Sequence, residues 1–144
     1  MQSTLRYVHA GVAWLFVLAI LVQVFLAGTA IVNLGGSGNF ATHIDFGYTV
    51  IGILALAVLI AAIAARAGRR DIGIAFGMLV LYVVQTSLPY ARSSIPEIAA
   101  LHPVNALLLF GLAVIVARRA LRQATAPRTD AAVSAVAAAA EAPR

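Results

Sequence analysis

The polar side chains that stand inside or beside apolar stretches of this chain are few: His9, Gln23, His43, Asp45, Asp71, Gln85, Arg92, Glu97, His102 and Asn105. A polar group in a membrane is costly, so each one is a candidate for function. His43 and His102 stand out as a pair. Each lies near the start of an apolar run. His43 is followed by Gly47 four residues on and Gly52 nine on, His102 by Ala106 and Gly111 at the same steps. On a helix the i+4 residue shares the face one turn further along, and a small side chain there leaves room for a flat ring. Haem iron takes two axial ligands, neutral imidazole among the commonest. Facing side chains on a helix bundle are where such cofactors are held. The expectation is one haem b clamped by His43 and His102, with electron transfer as its chemistry. Arg92, flanked by Tyr90, Ser93 and Ser94, is the expected partner of the haem carboxylates.

The other candidates have plainer readings. Gln23-x-x-Leu26 matches Gln85-x-x-Leu88, and Gly11 matches Gly73 at the same offset of 62 residues. The chain therefore reads as two copies of a helix pair, a Gln-bearing helix followed by a His-bearing one. Gln23, Gln85 and Asn105 are expected to bond between helices. Asp45 and Glu97 sit close to helix N-termini, where negative charge is stabilised. His9 is expected to reach out to the nearer interface.

Four elements must position these residues. The apolar runs 7–33, 41–65, 72–90 and 96–117 are all long enough for the roughly 20 residues that a helix needs to cross a bilayer, the third most narrowly. They do not alternate in polarity as barrel strands would. The connections are short, LGGSGNF between the first two and ARSSI before Pro96. Short connections make successive helices antiparallel neighbours. The predicted fold is all-α, an integral membrane up-down four-helix bundle spanning residues 1–122. Nine of the ten Arg residues (Arg6, Arg66, Arg69, Arg70, Arg118, Arg119, Arg122, Arg128 and Arg144) fall on one side and Arg92 alone on the other. That asymmetry predicts cytoplasmic termini. The first run is longer than a signal peptide's apolar region and is expected to be retained. The Ala-rich stretch 123–144 lacks large apolar residues and is expected to be a disordered cytoplasmic tail.

Composition narrows the functions. Of 144 residues 62% are apolar and 10% charged, against about half and a quarter in a soluble domain. A water-soluble globule is excluded. The net charge of +5 comes from Arg at the ends of apolar runs, which makes no basic face for nucleic acid. The absence of Cys removes thiolate metal sites and Cys nucleophiles. No phosphate-binding Gly loop follows a strand, and no Ser-His-acid grouping is visible.

The segments QVFLAGTAIV…THIDFGYTVIGIL and LHPVNALLLFGLAVIVARR resemble one half of a heme A synthase, across residues 7–120. Members of that family are two fused four-helix units, each with His on its second and fourth helices. The resemblance implies a haem-carrying scaffold in which a homodimer stands in for the fusion. The family's acidic residue just before the second-helix His has no counterpart in Asn39-Phe40-Ala41-Thr42. The resemblance therefore does not carry the synthase reaction with it. The chain is also similar to small actinobacterial four-helix membrane proteins of unknown function. Two other readings stand beside the haem carrier. One is a cofactor-free subunit of a larger membrane complex. The other is a small transporter, which would need a deeply placed ionisable group.

Overall fold

The computed structural model describes residues 2–126. It contains four helices long and apolar enough to cross a membrane: α1 (Gln2–Gly28), α2 (Ala41–Ala64), α3 (Arg69–Ser93) and α4 (Pro96–Thr125). No strand occurs among the described residues. Each helix packs on the next in the chain, and α1 closes the ring against α4. α2 and α4 are thus diagonal partners, as are α1 and α3.

The helix limits differ from the hydrophobic runs for local reasons. α1 begins five residues before the run, at Gln2. Its first turn is tied down, because Gln2 Nε2 donates to Ala65 O at 2.7 Å and Arg6 Nη1 to Gln123 O at 3.5 Å. α1 ends at Gly28 rather than Asn33. There Thr29 Oγ1 donates to Leu26 O at 2.8 Å, and the chain folds back through Ser37 N to Thr29 O. That turn puts Gly35 at φ 82 and Gly38 at φ 77, where a Cβ would be strained. α2 ends on Arg66, at φ 50, with Ala67 N bonded to Ala62 O at 3.0 Å. This is a Schellman closure with Arg in the place usually given to Gly.

α3 is regular to Ser87 and then tightens into a 3-10 turn, Leu88–Ser93. Pro89 has no N–H to continue the α-helical ladder. α4 opens on a short turn, Pro96–Ala99, and runs regularly from Leu101 to Thr125. It outlasts the apolar run by eight residues, because Arg, Ala, Leu and Gln after Ala117 are all good helix formers. Gln123–Thr125 therefore belong to α4, and not to the tail expected over 123–144. The rest of that expectation, from residue 127, lies outside the described residues.

The core is built from Phe16, Val58 and Met78 set among small residues, including Ala13, Ala55, Ala62, Ala75, Ala113 and Ala117. Small residues let helix backbones approach closely, the usual basis of helix packing in membranes. Toward the end that carries Arg92, this tight core stops at Ile20, Ile51, Met78 and Asn105; past them only Ala30 is buried among the described residues. The outer surface is apolar, with Phe25 68%, Ile53 68% and Leu107 73% exposed. An apolar rim of this extent is compatible with a multi-pass membrane protein.

Candidate functional site

The two Gln–His pairs of the sequence repeat meet in one layer, just beyond the tight core. His43 lies in the first turns of α2. Its Nδ1 is 3.1 Å from Gln23 O, and its Nε2 is 3.4 Å from Gln23 Nε2. His102 near the start of α4 repeats the arrangement, with Nδ1 2.9 Å from Gln85 O and Nε2 3.1 Å from Gln85 Nε2. The carbonyl oxygens can only accept, so in both rings the proton belongs on Nδ1. Each Nε2 then presents its lone pair, which the Gln amide meets as a donor. A backbone carbonyl fixing the far nitrogen is the arrangement that orients a metal-binding imidazole. The two rings face each other across the bundle diagonal, their centres 6.3 Å apart and their planes at 70°. Both His residues are half-buried.

The structure gives Gly47 a different role from the one its spacing suggested. A Cβ there would lie 2.7 Å from Gln23 Nε2, so the missing side chain admits the glutamine. The Gln23 amide also donates to His43 O at 2.8 Å. Gly47 opens a single π-helical stretch, Gly47–Ile51, of a kind that often marks functional sites. Tyr82 OH donates to Tyr48 O at 3.4 Å. The hydroxyls of Tyr48 and Tyr90 are 2.8 Å apart, so α2 and the end of α3 are stitched beside the His layer. Ala106 is half-buried, one turn along α4 from His102. Arg92 is exposed on the 3-10 turn, two residues beyond Tyr90, at the same end of the bundle.

Asn105 is the residue that sequence spacing undervalued. It is 7% exposed and donates through Nδ2 to Gln85 Oε1 at 2.8 Å and to Leu81 O at 3.0 Å. The position three residues past His43 holds Phe46 instead, and Gln23 Oε1 is buried with no donor among the described residues. An apolar groove of about 390 Å³ runs between α1 and α2 from Leu15 and Leu54 up to Val22 and Phe46, beside this first pair.

At the Arg-rich end a second polar cluster joins α3 to α4. Asp71 accepts from Arg119 Nε and from Gln123 Nε2. His9 packs beside the same cluster, in a cleft with no room for a water molecule. It does not reach out to the interface as expected, being 3% exposed with Nε2 lacking a partner among the described residues. Its neighbours Ile74, Val116 and Ala120 in that cleft enclose the ring. No group of three or more His, Cys, Asp or Glu side chains suited to a metal ion occurs among the described residues.

A family profile described as a family of unknown function (DUF6220) matches residues 23–91, a little under half of the chain. The matched stretch opens on Gln23 and contains His43 and Gln85, while His102 lies beyond it. No curated protein and no solved structure matches the chain. The resemblance to heme A synthase finds no support in these comparisons.

Proposed function

We propose that this protein is a small haem b-binding electron carrier of a bacterial plasma membrane, in which His43 and His102 would hold the haem iron. The observation that carries the reading is the separation of the two rings, 6.3 Å between centres across diagonal helices. A metal–imidazole bond of about 2.0–2.1 Å puts two rings that share one metal roughly 5–6 Å apart between centres, depending on the angle at the metal. The proton placement supports the same reading, since each ring offers an Nε2 lone pair. So does the position of the layer, past the end of the tight core, where helices have room to part. What the group would supply when bound is one-electron transfer. The chain's own work is to aim the imidazoles through Gln23 O and Gln85 O, to withdraw the two Gln amides, and to meet the haem carboxylates with Arg92. The Arg asymmetry favours cytoplasmic termini and a site in the outer half of the bilayer. A homodimer or a larger membrane complex is the proposed setting.

The deciding experiment is a reduced-minus-oxidised absorption spectrum of protein purified from haem-replete cells. A sharp low-spin b-type spectrum, lost in His43→Ala and in His102→Ala, is the expected result. A protein that stays colourless after hemin is added overturns the reading. One observation favours a second reading, a cofactor-free assembly subunit. Both Nε2 atoms already have Gln donors, so the layer can close on itself as a helix-pairing device. Colourless protein that co-purifies with stable partners would support it.

A further inference from the structure

We infer that the two halves of this layer are unequal: His43 is the imidazole that sheds its glutamine readily, His102 is the one held closed, and Asn105 is the positioning residue that holds it. The inference rests on reading the two imidazoles as ligands. Gln85 is fixed at both ends of its amide. Its Nε2 meets His102 at 3.1 Å, and its Oε1 accepts from Asn105, which is anchored in turn on Leu81 O. Freeing His102 Nε2 means breaking that chain of bonds inside the bundle. Gln23 is anchored at one end only, through Nε2 to His43 O at 2.8 Å, a bond that does not occupy His43 Nε2. Its contact with His43 Nε2 is the longer one, at 3.4 Å, and its Oε1 is buried without a donor. A buried acceptor with no partner is unfavourable, and moving it toward a donor removes that cost. Phe46 stands where an Asn would have supplied the donor.

Space is distributed in the same sense. The apolar groove reaches Val22, next to Gln23, and Phe46, one turn from His43. The half that opens more easily is therefore also the half beside open volume. His43 Nε2 would therefore become available first, and His102 Nε2 only when Gln85 leaves Asn105.

The test is made on the full-length, haem-free protein in detergent, using diethyl pyrocarbonate, which acylates an imidazole nitrogen through its free lone pair. Site-resolved mass spectrometry is expected to show His43 labelled about fivefold faster than His102, the ratio that one net hydrogen bond of about 1 kcal/mol supplies. Asn105→Leu should bring His102 up to the rate of His43. Phe46→Asn, which places a donor beside Gln23, should slow His43. His9, enclosed in the core, should stay unlabelled throughout and so reports an intact bundle. Equal rates in the wild type, or a slow His102 in Asn105→Leu with His9 still protected, overturns the inference. A haem-loaded arm adds an uptake readout, with hemin taken up faster by Asn105→Leu than by the wild type. If no haem is taken up, the ligand reading fails, while the labelling ratio still decides the asymmetry.

Discussion

His43 and His102 come from helices that do not follow each other in the chain, yet their rings meet edge to face with centres 6.3 Å apart. That contact crosses the diagonal of the bundle, so it depends on all four helices. α1 and α3 take part through Gln23 and Gln85, whose main-chain carbonyls set the two ring orientations. A polar layer made by every helix, at the level where the apolar core ends, couples the register of the helices to the geometry of the imidazoles.

The two glutamines should contribute differently to stability. Gln85→Leu removes bonds to His102 and Asn105 and leaves the buried Asn105 with an unused donor. Interhelical bonds in membranes contribute about 0.6 kcal/mol each, up to about 1.7, so a loss of about 1–2 kcal/mol is expected. Gln23→Leu also gives up bonds but removes a buried acceptor that has no partner. Its expected loss is smaller, less than about 1 kcal/mol. Reversible unfolding in mixed micelles measures both, and a larger loss for Gln23→Leu would contradict the bonding pattern.

Gly47→Ala and Gly77→Ala should move stability in opposite directions. The new methyl at position 47 would meet Gln23 Nε2 at 2.7 Å, whereas nothing lies within 4 Å at position 77. Overpacking costs about 1–3 kcal/mol, and the low end applies where the obstructing group is a flexible side chain. In open helix, Ala is favoured over Gly by about 0.8–1 kcal/mol. The same unfolding assay should rank Gly77→Ala above the wild type and Gly47→Ala below it.

The cluster at the Arg-rich end should be structural. The side chain of Asp71 is 12% exposed and that of Arg119 28% exposed. Asp71→Ala removes two bonds to a carboxylate, each worth about 1.5–3 kcal/mol when well buried. Arg119 can turn to water, which reduces the penalty, and a loss of about 1–2 kcal/mol is expected. Asp71→Asn should retain part of it. If haem is bound, the spectrum of Asp71→Ala should be unchanged, because Gln23 and His9 are fourteen residues apart on α1, roughly 21 Å of helix.

Much of this architecture is legible in the residues. Four apolar stretches, short Gly- and Pro-bearing connections and the Arg distribution suffice for an up-down bundle. The repeated order of a Gln-bearing and a His-bearing helix is legible too, but Gln and His stand 20 residues apart in one half and 17 in the other, so their meeting in one layer is a tertiary fact. Gly47 and His9 were not legible. A small residue one turn from a His has the same appearance whether the space serves a ring or a neighbouring glutamine, and only the position of α1 decides. A His near a helix end reads as an interfacial residue until α3 and α4 are seen to enclose it. Asn105 left a signal, three residues past His102 and therefore on the same face, but its target on α3 is a tertiary fact.

Arg66 offers a test that touches none of the candidate site. It ends α2 at φ 50 and is the only non-Gly residue with positive φ among the described residues. Left-handed backbone costs an L-residue roughly 1–2 kcal/mol, a cost that Gly avoids. The Schellman bond from Ala67 N to Ala62 O, at 3.0 Å, requires that conformation whichever residue occupies the position. Arg66→Gly should therefore preserve the turn and stabilise the bundle by about 0.5–1 kcal/mol, part of the gain being offset by the greater freedom of Gly in the unfolded chain. Arg66→Val should lose stability, because a β-branched residue tolerates this region least. The haem spectrum, if present, should not respond to either change. A destabilised Arg66→Gly would mean that the arginine side chain, and not its backbone, is what holds the α2–α3 turn.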